Sequence, residues 1–150
     1  LHADLLECRS TNCGNNITYL LELLAENGIS FHSIILIQDA TMQRRMDAGL
    51  RKQNADALII NFAAYQAEVT VRNGEPEYEK EIWGMWDMDR YITLLMGEIP
   101  RLSDTPDGYG PAGKNFIAHV DIPPEVAEAF SELKKEYGGM VREANPMYAS

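Results

Sequence analysis

A thiol, a histidine two residues from an aspartate, and a loop of short polar side chains are the groups in this chain that could do chemistry. Cys13 lies just before a helical pattern, where a helix dipole lowers a thiol pKa and makes a nucleophile. The surrounding run Ser10-Thr11-Asn12-Cys13-Gly14-Asn15-Asn16 leads into that helix N-terminus, a setting whose backbone N–H groups favour an anion. Ser10, Thr11, Asn12 and Gly14 are the expected ligand-binding positions, with Arg9 and Lys114 as the obvious positive side chains. Plain helix capping uses the same residue types. Asn61 and Tyr65, after an apolar run, would add an amide and a phenol to the same crevice, and turn chemistry competes for Asn61. His119 and Asp121 share a face if FIAHVD is a strand, so the carboxylate could orient an imidazole acting as acid or base; the competing reading is a half-buried structural histidine. There is no GxGxxG and no Walker lysine. No motif names a reaction, so catalysis and any cofactor stay open.

A second cluster could bind rather than react. Between Glu75 and Glu98 stand seven acids, Glu75, Glu77, Glu79, Glu81, Asp87, Asp89 and Glu98, against Lys80 and Arg90. Trp83 and Trp86 lie among them, beside Tyr78, Met85 and Met88. Alternating acids over buried-face aromatics describe a solvated hairpin. They also describe a charge-rimmed aromatic patch that holds a protein partner, and an acidic one steers a basic partner. Glu77, Glu79, Glu81, Trp83 and Trp86 are the expected partner-binding residues. Acids at i, i+2, i+4 without a liganding loop make a poor calcium site, and Cys8 and Cys13 have no companions for zinc, so no metal is expected.

Two loose family resemblances follow from these residues. Cys13 in Cys-Gly-Asn-Asn, followed by LLELLAENGISFHSIIL, is similar to a monothiol glutaredoxin-type site, although Asn54-Ala55-Asp56-Ala57 stands where that family has a proline. ADALIINFAAY and FIAHVDIP resemble the third- and fourth-strand regions of type II dehydroquinases, with Asn61 and His119 as the matching polar residues. That family's tyrosine-bearing loop is missing, and Gln66-Ala67-Glu68 replaces its His-Thr motif. What the second resemblance implies is flavodoxin-like layering.

The elements that must position these groups read mostly as alternating strand and helix. Ala3–Cys8 and Ser30–Gln38 are apolar runs that predict strands, as does Ala57–Phe62, and the latter two read as buried. Between them, Ile17, Leu20, Leu21 and Leu24 fall at helical spacing, capped by Asn15 or Asn16 and stopped by Gly28. Asp39 is expected to cap a helix over 40–53 with Met42, Met46, Gly49 and Leu50 inward. Short links in β-α-β-α-β order predict a parallel sheet. Asn73-Gly74, after the alternating Ala67–Arg72, predicts a hairpin whose returning arm Glu75–Trp83 is confined by Pro76 to an edge. Asp87 caps a helix ended by Gly97 and Pro100, and 101–115 is a long loop able to cover a site. After the expected strand Phe116–Asp121, prolines 123 and 124 open a last helix with Val126, Phe130, Leu133 and Tyr137 inward, stopped by Gly138-Gly139. The sum is a single α/β domain over 1–150, a three-layer sandwich with a mainly parallel sheet of four or five strands and a hairpin excursion near 63–85. A mixed-sheet α+β domain, thioredoxin-like, is the alternative.

Composition bounds the function classes. The 150 residues are 45% hydrophobic and 24% charged, enough for a core without staples. A net charge of −10 argues against nucleic acid and against an anionic membrane, since both need a basic face. No run is long enough to span a bilayer and no signal-peptide pattern opens the chain, which begins at Leu1, so its natural start stays open. Two cysteines five apart fit a reduced cytoplasmic protein better than a disulfide framework. The favoured function is an acidic interaction domain, a subunit or an inhibitor of a basic partner. The alternative is a small-anion-binding domain or enzyme with its site at the strand carboxyl ends. Homo-oligomerisation is compatible with either.

Overall fold

Asn12, not Asn15 or Asn16, starts the first helix: its side-chain oxygen accepts the Asn15 backbone N–H at 2.9 Å. A computed structural model describes residues 2–138, and within them α1 runs Cys13–Glu26. It ends as its glycine requires. Gly28 takes φ +67°, and the N–H groups of Gly28 and Ile29 return to the carbonyls of Ala25 and Leu24.

Strand β1 (Ser33–Gln38) pairs in parallel with β2 (Leu58–Ala63), with Ile35 opposite Ile60 and Ile37 opposite Phe62. Helix α2 (Gln43–Gln53) crosses between them. Its start is a correction. Asp39 accepts the backbone N–H and the hydroxyl of Thr41, making a turn that delays the helix to Gln43. Met46 and Leu50 pack with Ile17 of α1 and Leu36 of β1 into one core, supported by Leu21, Ile34 and Ile59. Gly49 permits the close approach of α1, since a Cβ there would sit 2.4 Å from Ile17 Cδ1.

The chain is thus a mixed α/β domain with a short parallel pair. The expected four- or five-stranded sheet is not what the described residues contain. Ala3–Cys8 is unpaired chain, and Phe116–Asp121 is irregular. The latter spends its pairing capacity elsewhere: Ala118 N–H donates to the Ala48 carbonyl of α2, and Ile117 and Val120 join Ala48 and Leu102 in a second core. Nor are β1 and β2 buried on both faces, because Ile35, Ile37, Leu58, Ile60 and Phe62 are exposed.

The hairpin follows its turn signal. β3 (Val69–Arg72) and β4 (Glu75–Tyr78) are antiparallel around Asn73 (φ 53°) and Gly74 (φ 88°), the positive pair that this turn demands. The returning arm is shorter than the alternation to Trp83 implied. Helix α3 (Met88–Leu102) is capped by Asp87, which accepts the Arg90 N–H. Pro100 does not end it; the proline sits in the last turn and the helix runs on to Leu102. Pro124 opens α4 (Pro124–Tyr137), which packs on α3 with no fully buried residue, leaving Val126 and Leu133 partly uncovered; Gly139 of the expected stop lies outside the described residues. Among the described residues no helix is long and apolar enough to cross a membrane.

Candidate functional site

Four places hold the residues singled out by type. The first is a cavity of about 390 Å³ at the start of α1. Asn12, Cys13, Gly14 and Asn15 form one wall, Arg45 and Gly49 of α2 another, and Tyr109, Asn115 and Phe116 of the long loop the third. The loop therefore meets the α1 N-terminus. The positive group there is Arg45, which type alone could not single out. Arg9 instead pairs with Glu22 at 3.1 Å and lies over the Tyr19 ring, and Lys114 lies over Tyr109. Arg45 Nε donates to Glu98 Oε2 at 2.6 Å and its Nη2 to Oε1 at 2.8 Å, both side chains nearly buried. Burial opposes the Arg45 charge, and the Glu98 carboxylate outweighs it and raises the pKa further. Two of five guanidinium donors are so used. The pairing spans 53 residues, so no local pattern reports it. Cys13 Sγ lies 3.9 Å from Met42 Sδ.

Ser10, Thr11, Asn61 and Tyr65 are engaged outside this wall. Ser10 N–H donates to Glu7, and the Thr11 hydroxyl faces Asn15 at 3.5 Å. Asn61 accepts from Gln43 Nε2 at 2.7 Å and donates to Asp47 at 2.8 Å, which locks β2 to α2.

The second place is Asp39, just past the carboxyl end of β1. Its Oδ1 accepts from Thr41 N–H (2.9 Å), the Thr41 hydroxyl (2.6 Å) and the Tyr65 hydroxyl (2.8 Å), and its Oδ2 from Trp86 Nε1 (2.9 Å). Burial pushes the carboxyl pKa up, but the hydrogen bonds from Thr41, Trp86 and Tyr65 outweigh it and the pKa falls. Tyr65 moves the opposite way, raised by burial and by donating to that anion. Asp39 thus ties three segments together. It was expected only as a cap.

His119 occupies the third. Its Nδ1 is 3.0 Å from Asp104 Oδ2 and its Nε2 3.1 Å from Asp121 Oδ1, with the ring largely exposed. Asp121 does orient the imidazole, though from irregular chain, and Asp104 takes the other nitrogen. The hydrogen bond to Asp104, then that to Asp121, raises the His119 pKa. With a carboxylate at each ring nitrogen, His119 bridges Asp104 and Asp121.

The acidic stretch is the fourth. On β4, Glu75 and Glu77 face solvent while Pro76 and Tyr78 turn inward, and the Tyr78 ring meets Tyr91 of α3 edge-on at 5.5 Å. Glu77 and Glu79 stand near Arg72 at 3.9 and 3.5 Å. The chain then turns through Gly84 (φ 74°), presenting Trp83 at 98% exposure. A shallow groove of about 630 Å³ runs beside it, lined by Glu77, Glu81, Ile82, Met85, Trp86 and Met88. Trp86 is partly committed inward by Asp39, and Glu98 leaves this surface to pair with Arg45. No group of three or more His, Cys, Asp or Glu among the described residues is arranged to hold a metal ion. No protein-family model matches the chain.

Proposed function

We propose that the protein is an acidic interaction module that captures a basic protein partner through the turn after β4, with Trp83 as the anchor. The observation that carries this is the 98% exposure of Trp83. A large aromatic held in water gains most by entering a partner's pocket, and tryptophan is enriched among residues that dominate binding energy. Glu77, Glu79 and Glu81 supply the rim that draws a basic surface, and the groove at Met85 and Met88 supplies adaptable apolar contact. Trp86 holds the turn in place through Asp39 rather than serving as a second anchor. The free thiols of Cys8 and Cys13 support a reducing, cytoplasmic setting.

Affinity capture with the wild-type chain and with Trp83→Ala, followed by titration of the recovered, identified partner, tests this. Loss of Trp83 weakens binding by about thirtyfold or more, the mark of an anchor residue. Added salt weakens binding further. Equal affinity of the two proteins, or a partner with no basic surface, would falsify the reading.

The cavity at α1 favours a second reading, a site for a small anion between the α1 N-terminus and Arg45. On this reading inorganic phosphate or a small carboxylate raises the melting temperature, and Asn12→Ala, compared by its ligand-induced increment, abolishes the rise. A flat response to both classes removes this reading.

A further inference from the structure

The cavity between α1, α2 and the 103–121 segment is larger than a simple anion fills. At about 390 Å³ it falls at the small end of sites for organic molecules. On α2, Arg45, Gly49 and Gln53 recur every fourth residue, so they share one face at steps of about 6 Å along the axis. A charge stands at one end of that stripe and an amide at the other, and the middle has no side chain. The groups around the middle are apolar. Ile17 Cδ1 and Ile117 Cγ2 are the side-chain atoms nearest to where a Gly49 Cβ would stand. Tyr109 and Phe116 form the loop wall as an edge-to-face pair 5.4 Å apart, and Phe116 keeps 42% of its surface exposed. The charge is as local as the shape. In a chain with 23 acids against 13 bases, none of the described side chains lining this cavity is acidic, and Arg45 is the charged one. Glu98 takes two of its five donors and leaves three. Beside the cavity, Lys52 donates to Asn115 Oδ1 at 2.6 Å and Lys114 lies 5.2 Å over the Tyr109 ring.

On the reading that this cavity holds a small anion, we propose that the anion is an aromatic carboxylate. Its carboxylate meets the free donors of Arg45, and its ring packs among Ile17, Ile117, Tyr109 and Phe116. A carboxylate matches the planar guanidinium fork. Its single charge suits a cation already half-neutralised by Glu98, whereas a dianionic phosphate would be repelled by that carboxylate. The ring takes water from the exposed Phe116 and gains the offset or edge-on packing that aromatic pairs prefer. An aliphatic acid as small as acetate has no surface to offer there. Gln53, at the far end of the α2 stripe, is the group that meets a polar substituent on the ring.

Two-dimensional NMR titration of the isotope-labelled full chain with benzoate, acetate, phenyl phosphate and benzyl alcohol tests it. Benzoate binds about tenfold or more tighter than acetate, and tighter than the other two. Its shifts concentrate at the amides that open α1 and at 115–117. Phe116→Ala weakens benzoate by about fivefold or more and leaves acetate unchanged. Arg45→Lys keeps a charge opposite Glu98 but loses the fork, and weakens both carboxylates. If the lysine variant misfolds, Phe116→Ala, at a partly exposed ring, carries the test alone. Equal binding of benzoate and acetate, or a Phe116→Ala without effect, overturns the aromatic class and leaves the small-anion reading standing. Benzyl alcohol or phenyl phosphate matching benzoate overturns the carboxylate anchor. No shift with any of the four removes the small-anion reading and this one together.

Discussion

One carboxylate holds three segments in register at the end of β1. Tyr65 comes from the chain after β2 and Trp86 from the approach to α3, 26 and 47 residues from Asp39 in sequence. Hydrogen bonds to a charged acceptor contribute more than neutral ones, and removing the acceptor leaves half-buried donors unpaired. Asp39→Ala therefore costs about 2 kcal/mol, a fall of roughly 4–8 °C in melting temperature for a chain of this length. Asp39→Asn, which keeps one acceptor oxygen, costs less; urea unfolding of both variants checks the order. Residue type picked out Asp39, Tyr65 and Asn61 as worth notice but did not report what each of them touches. Their partners lie on other segments, and a side chain's preference for turns or crevices carries no address. Arg45 escaped notice for the same reason, and Glu98 was counted only among the acids of the 75–98 stretch.

The segment 103–121 behaves as one element although it has neither helix nor strand. Its glycines make room for the backbone to fold on itself. A Cβ on Gly108 would lie 2.1 Å from the Ser103 carbonyl oxygen, and one on Gly113 2.2 Å from that of Thr105. Asp104 fastens it by accepting the Ala112 N–H and facing His119, and these contacts, Ala112 first, lower the Asp104 pKa. The His119 pKa is raised, so its stabilising contribution is full below the unfolded value near 6.5 and fades as pH rises through the higher folded value. Melting curves from about pH 5 to about pH 9 should show His119→Gln less stable than wild type at the acidic end, with the gap closing toward the alkaline end. A gap that widens with pH would contradict this pairing. At this scale local chemistry was legible where it was self-contained. Asn73-Gly74, Asp87 and Gly28 fixed their turns and caps through neighbours only. FIAHVD looked like a strand because apolar residues at this density suit strands, yet its backbone was claimed by α2.

Among the described residues, the exposed apolar face of β1 and β2 carries no charge, whereas the exposed Val71 and Trp83 stand among acids. The acids of the β3–β4 region crowd one turn around Trp83, while the bare strands carry none. Salt therefore loosens the proposed association at Trp83. Alternation of strand and helix was read correctly for α1-β1-α2-β2 and for the hairpin. The extent of the sheet was not, because an apolar run states only that it seeks cover. Ile35 and Phe62 seek it as strongly as Leu36 does, and sequence cannot tell the face that the helices cover from the one that they leave exposed.

The two tryptophans give this molecule a pair of unequal optical reporters. Trp83 stands in water and Trp86 is tethered to Asp39, so their emission separates by wavelength and by access to quenchers. The acids around Trp83 repel iodide and attract caesium. Emission at long wavelength should therefore yield to caesium far more readily than to iodide, and a bound partner would shield it from both.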